Sequence, residues 1–246
     1  MNTTNATIVY TIQPGSVETV MHTAHAIQCA QEIHYYVGAD AHVHYSLVIA
    51  EQGLISAIKL RFFLARNAQL TADLLCAYDT MRIDIEIVLQ QEGAQAVVRG
   101  AYVLNQAHAI EIQTVQHHQA AHTKSELIMR SAIKDNGFAT YRGIIRVDQS
   151  ARGSVSSQEN KNILLSNAAR ALSVPSLEVL TNDVRCFHGS ATGRFDQDQL
   201  VYAASRGIDE KVARYLLLNA FFANLFISKT MQYELGQLLD RLYIKK

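Results

Sequence analysis

A chain of 246 residues in which 22 lysines and arginines balance 22 aspartates and glutamates has no net field to draw in nucleic acid or an anionic membrane. Its first dozen residues, MNTTNATIVYTI, lack a basic stretch followed by an apolar core. The most apolar late stretch, VARYLLLNAFFANLFI, is interrupted by Asn219 and Asn224 and is too short for a bilayer, so neither a signal peptide nor a membrane span is read.

From about Thr7 to Leu180 short alternating runs dominate: ATIVYTI, HVHYSLVIA, SAIKLRFFL, RIDIEIVLQ, AQAVVRGAYVL, AIEIQTV and ATYRGIIRV. In RIDIEIVL, Ile83, Ile85 and Ile87 fall on one face and Arg82, Asp84 and Glu86 on the other, as a half-buried strand requires. Turn-forming residues return at Gly38, Gly53, Asn67, Asp79, Gly93, His108, His122 and Asn136-Gly137, roughly every 12 to 16 residues. Such spacing suits an antiparallel sandwich or a coil of stacked rungs. With Asn136-Gly137 as the one hairpin-type pair, a parallel β-helix is favoured, with roughly 28 residues to a two-strand rung.

After Phe195 the texture changes. Asp196 and Gln199 resemble a capping box, opening a helix over 196–205 that ends near Gly207. Asp209 and Glu210 open a second helix running to about Phe226, whose apolar residues almost encircle its axis, so cover on more than one side is predicted. A third, from Lys229, sets Met231, Leu235, Leu238, Leu239 and Leu242 on one stripe. The chain thus divides into a parallel β-helix core over 1–195 and a small C-terminal helical domain over 196–246. The helices are expected on the end of the coil, capping its final rung.

Three cysteines, Cys29, Cys76 and Cys186, odd in number and far apart, argue for a reducing cytoplasm over a disulfide framework. Cys29 and Cys76 read as small buried groups. His22 and His25, His42 and His44, and His117, His118 and His122 read as surface-facing strand histidines rather than ligand sets. No GxSxG, HExxH or phosphate-binding glycine loop is present. Asp84, Glu86 and Glu111 could pair across rungs as glycosidase carboxylates do, so a β-helical carbohydrate-active enzyme is an alternative, although no tryptophan offers a sugar platform. Cys186 and His188 stand apart. If both point outward, Phe187 turns inward, and Cα atoms roughly 7 Å apart let a thiolate and an imidazole converge on one ion or small cluster. Two donors do not complete such a site. The others must come from a second chain, a substrate or elsewhere in the fold.

These residues lie in a longer pattern starting at Glu159. It comprises a leucine-rich strand, Pro175-Ser176-Leu177-Glu178, the turn Cys186-Phe187-His188-Gly189, and a helix ending in Ser205-Arg206-Gly207. A weaker match extends upstream through HHQAAHTKSELIMRSAIKDNGFATYRGII. The pattern resembles the SufB/SufD family, scaffold subunits of the bacterial SUF iron–sulfur cluster assembly machinery. The resemblance implies a right-handed parallel β-helix followed by C-terminal helices, and no catalysis by this subunit. It implies pairing with a SufB-like subunit, and docking of an ABC-type ATPase, SufC, on the helical region. Tyr202, Arg206, Leu216, Leu217 and Phe221 are the candidate contacts for that ATPase, with burial against the β-helix as their other reading. The family's histidine falls on His188, preceded by Cys186, and implies iron or an iron–sulfur cluster held transiently across a subunit interface rather than tightly by one chain. Near Asn160 SufB-type chains carry their cluster-accepting cysteine, and their His-Glu pair is here His188-Gly189, which places the chain on the SufD-like side. The helical N-terminal domain that full-length members often carry is expected to be absent. A homodimeric structural β-helix without metal is the remaining alternative.

Overall fold

The computed structural model describes residues 6–23, 30–49, 57–77 and 80–243. Fourteen strands precede three helices among these residues: β1 (Ala6–Ile12), β2 (Val17–Thr23), β3 (Ala30–Val37), β4 (His42–Ile49), β5 (Ala57–Leu64), β6 (Gln69–Ala77), β7 (Met81–Leu89), β8 (Gln95–Leu104), β9 (Ala109–His118), β10 (Lys124–Ile133), β11 (Phe138–Val147), β12 (Ser154–Leu164), β13 (Arg170–Val179), β14 (Val184–Gly193), α1 (Gln197–Ser205), α2 (Glu210–Phe222) and α3 (Lys229–Tyr243). The odd strands form one seven-stranded sheet and the even strands another, each in chain order and paired in parallel. A hairpin meander cannot produce that order, because a two-residue turn joins only antiparallel neighbours. The coil of stacked rungs is therefore the fold. Its rungs widen along the chain: Val17 pairs with His42, 25 positions on, whereas Lys124 pairs with Val155, 31 positions on.

Parallel register places each inward side chain over its equivalent in the next rung. Tyr35 stands on Phe62, Phe62 on Ile87, and Ile87 on Gln116. The first pair stacks ring on ring at 5.1 Å. Each buried Leu, Ile or Phe in such a column contributes about 1.5–3 kcal/mol. At one corner Asp40, Asn67 and His122 adopt left-handed backbone, as do Gly15, Gly93 and Gly153. The side chains need room there. A Cβ on Gly93 would come 2.2 Å from Asn67 Oδ1, and one on Gly153 would come 2.5 Å from His122 Nδ1. The described turn residues at regular spacing are thus stacked corners; Gly53 and Asp79 lie outside the described residues.

The outer face of the first sheet is an ionic lattice. Arg61 Nε lies 3.0 Å from Glu86, Arg82 Nε 3.0 Å from Asp84, and Arg142 Nε 3.7 Å from Glu111. The three carboxylates considered as a hydrolytic set therefore each face an arginine, and exposed pairs of this kind add at most about 1 kcal/mol apiece.

The helices are not on the end of the coil. They lie along the outer face of the second sheet, where Val48, Leu75, Ala77, Ala101, Val103, Ala132 and Ile163 share one buried cluster with Leu200, Leu218, Phe222, Met231, Leu235, Leu238, Leu239 and Leu242. The cause is written in the strands. Alternation lapses in the second halves of β4, β6 and β8, where both faces are buried, so an apolar patch on the flank needs a cover. The stripe on α3 supplies it. Two cations from β10 fasten the cover. Arg130 Nη1 donates to the carbonyls of Phe221 at 2.6 Å and Ala223 at 3.2 Å, and Lys134 Nζ donates to that of Leu242 at 3.0 Å. Both meet the negative end of a helix. Arg130 also lies over the Phe221 ring and Lys134 over that of Tyr243. Helix α2 closes at Phe222, short of the expected Phe226, with Asn224 left-handed just beyond it. Among the described residues no helix is long and apolar enough to cross a membrane.

Replacing Arg130 by alanine leaves carbonyls at the end of α2 without their donor, so stability should fall by about 1–3 kcal/mol. Amide exchange should quicken in α2 and α3 but not in β7; equal quickening throughout would show that the clamp is not local.

Candidate functional site

The terminal rung consists of β13 and β14. In the pairing of β12 with β14, Ser156 lies opposite Cys186, Gln158 opposite His188, Asn160 opposite Ser190 and Asn162 opposite Thr192. The four β12 residues are buried. Cys186, His188, Ser190 and Thr192 therefore take the inward side as well, and Phe187 takes the outward side, 63% exposed. This reverses the arrangement with both donors outward and Phe187 inward. The reversal follows from register: β14 copies the facing of β12, and no local feature of the turn decides it.

Among the described residues no further rung covers β13 and β14, so their inward side chains lie at an open end. His188 is exposed and has no hydrogen-bond partner among the described residues. Cys186 is half-buried against Ile145, Val147 and Ala151. Burial pushes its thiol pKa up, which disfavours the thiolate that would bind a metal. The two donors thus differ: one is available, the other is packed. Among the described residues no group of three His, Cys, Asp or Glu is placed to hold a metal ion. A four-coordinate site on this chain alone stays unfinished. Both strands are also sheet edges. Their exposed Leu172, Val174, Leu177, Val179 and Phe187 give the end an apolar character that edge strands normally avoid.

Beneath the open end the lumen turns polar, which hydrophobic alternation did not foretell. Ser125 Oγ contacts Ser156 Oγ at 2.7 Å, Gln116 Nε2 donates to Ser125 Oγ at 2.8 Å, and His118 bridges Thr123 and Ser125, both at 2.8 Å. Farther along, Tyr102 and Ser131 donate to Asn162 Oδ1, Asn162 donates to Asn160 and Thr192, and Asn160 donates to Tyr102. Strand β12, SVSSQENKNIL, has polar residues on both faces and so lacks the apolar alternation of the recognised runs. The usable signal was the opposite one, polar residues at inward spacing.

On the helices, Tyr202, Leu216 and Leu217 line a cavity of about 460 Å³ together with Ala203, Ile208 and Ala213. Tyr202 is 62% and Leu216 51% exposed, and the Arg206 guanidinium lies over the Tyr202 ring at 5.2 Å. Helix α2 packs against both α1 and α3, cover on more than one side as predicted, and is left open along Val212 and Leu216. Phe221 is not part of this groove; it packs against Phe222 and under Arg130. Asp196 does cap α1, accepting from the Asp198 amide at 2.9 Å, whereas Gln199 lines the groove.

Residues 3–221 match the family described as SUF system FeS cluster assembly, SufBD core domain. The chain belongs to that family. An iron–sulfur cluster assembly SufBD family protein of Mycobacterium leprae is 32% identical over 159 residues, 61% of this chain and 40% of that protein. SufD of Escherichia coli is 32% identical over 115 residues, 47% of this chain and 27% of that protein. SufB of Bacillus subtilis is 25% identical over 146 residues, 59% of this chain and 31% of that protein. The chain thus spans less than half the length of these curated relatives. The SufBD match runs past residue 195 and covers α1 and most of α2, so the family unit includes the groove.

The other histidines of this SufBD chain are divided between surface and interior. His42 and His44 share the outer face of the second sheet, with His44 Nε2 3.0 Å from the buried Asp73 carboxylate. His117 pairs with Asp148 at 3.0 Å. Two are not surface groups: His22 is buried beside Tyr35 and Tyr45, and His118 lies in the polar lumen. Inward register placed them there. His25 and Cys29 lie outside the described residues, and burial pushes the Cys76 thiol up to about 12.

Burial holds His118 neutral, with its pKa lowered to about 4. The unfolded chain binds that proton more readily, so the stability involved is full above the ordinary value of 6.5 and is lost as pH falls toward 4. It should amount to on the order of 3 kcal/mol. Urea titrations across that range should show a slope that H118Q flattens; an unchanged slope would place the titration elsewhere.

Proposed function

We propose that this chain is a non-catalytic, SufD-like scaffold subunit for iron–sulfur cluster assembly in the cytoplasm. Its open terminal rung pairs with a SufB-like subunit, or with a second copy of itself. Iron or a nascent cluster is the cargo, held transiently at that junction with His188 as this chain's ligand and the remaining ligands coming from across the interface. The carrying observation is an exposed, unpartnered imidazole on the inward side of a rung whose two strand edges are unpaired and apolar. A partner that continues either sheet would bury those edges and approach His188 in the same step. The family supports the choice of cargo.

Asn160 supports the SufD-like assignment. At the position resembling the SufB cysteine the side chain is a buried amide, bonded to Tyr102, Asn162 and Ser173, with no nucleophile to accept sulfur. The α1–α2 groove suits an ABC-type ATPase of the SufC kind. Tyr202 and Leu216 supply exposed apolar area, and Arg206 supplies a cation at the rim. Such a protein would move the helices, and Arg130 and Lys134 would pass that movement to β10.

His188→Ala removes no core group, so the variant should melt like the parent while cluster delivery in a reconstituted or complemented SUF system falls severely. Undiminished delivery would reject the role of His188. Leu216→Asp should abolish co-purification with the ATPase and leave subunit pairing intact by light scattering. Retained ATPase binding would move the docking site elsewhere, and a homodimer that takes up no iron anaerobically would favour a purely structural protein.

A further inference from the structure

Gln158 lies one rung beneath His188 and in register with it. It is only 3% exposed, yet its Oε1 has no hydrogen-bond partner. Its inward neighbours along β12 are committed, Ser156 to Ser125 and Gln116, and Asn160 to Tyr102, Asn162 and Ser173. Its counterpart in the preceding rung is Leu127, which offers no donor. Across the lumen the amide lies against Gly143, where a Cβ would come 2.0 Å from Nε2. Gly143 pairs with Pro175, which has no N–H, and with Thr114, whose hydroxyl is engaged by Tyr141. Directly above it in the terminal rung stands His188. An unpaired buried amide costs about 1–3 kcal/mol, whereas leucine would occupy the position without that loss, so the fold alone gives no reason for an amide here.

We propose that Gln158 is a positioning residue for His188. When one imidazole nitrogen engages a metal ion at the open end, the other donates its N–H to Gln158 Oε1, which fixes the tautomer and the ring plane. Rungs stand about 4.8 Å apart, a separation that an inward-turned imidazole and an amide can close. Gly143 contributes by leaving the amide its space. This rests on the reading of His188 as a metal ligand, and it assigns that ligand an acceptor within its own chain.

The test is titration with Co²⁺ of the full chain in its paired assembly, with a SufB-like subunit or with a second copy, followed by visible absorption and by the ¹⁵N shifts of the His188 ring. Co²⁺ should perturb those shifts in the parent, and H188A should remove the site. Q158L should weaken binding by about 10–100-fold, the usual effect of losing such an acceptor, and leave the ring in mixed tautomers. Q158E keeps an acceptor and should bind within a few-fold of the parent. Should Q158L fail to fold, G143A, whose methyl displaces the amide, should give the same loss. Parent-like binding and tautomer in Q158L, or equal loss in Q158L and Q158E, overturns the role of Gln158 alone. A paired parent assembly whose His188 signals ignore Co²⁺ overturns the ligand reading as well.

Discussion

Parallel register between successive rungs is the constraint on which the molecule depends. Once β1 to β14 stack in parallel, the facing of every side chain is inherited from the rung before it. The column through Ile12, Val37, Leu64, Leu89, His118, Val147 and Val179 shows both the strength of the rule and its limit. Six of its seven members are apolar, and its one imidazole is carried into the interior, where it must be neutral and hydrogen-bonded. The column then stops at Val179, exposed because no further neighbour follows among the described residues. An open end is the unavoidable product of stacking, and the chain places its Cys-x-His pair there.

The same constraint separates two surfaces that a capped coil would have merged. Because strands β4, β6 and β8 are apolar on both faces in their second halves, α3 is drawn to the flank and the terminal rung stays free. The groove between α1 and α2 also stays open. Strand β10 joins the two regions. It holds the helix ends through Arg130 and Lys134, and it pairs with β12, which pairs with β14. Three strands in register are a stiff connection, so displacement of the helices need not be relayed through loops.

The chemistry at the open end is sparse by design of the fold rather than by loss of residues. Of the pair, Cys186 is packed among Ile145, Val147 and Ala151, whereas His188 is exposed. In the function proposed above, one imidazole would be weak for a resident metal and suitable for a cargo that must leave. Membership of the SufBD family makes that cargo an assembling cluster in the function proposed above. Asp84, Glu86 and Glu111 on the first sheet, by contrast, are each paired with an arginine.

Much of this was legible in the residues. Period-two alternation in RIDIEIVL and its relatives, evenly spaced turn residues and the scarcity of hairpin pairs specify stacked strands, because those features are local and each depends on one strand's own faces. The Asp196 cap and the α3 stripe are local in the same sense. What tertiary structure decided is everything relational: the helices on the flank, His118 and His22 inside, Cys186 and His188 inward with Phe187 out, and the unpaired Gln158 amide below them. A strand's sequence says that two faces differ, but only its neighbour's register says which of them looks into the lumen.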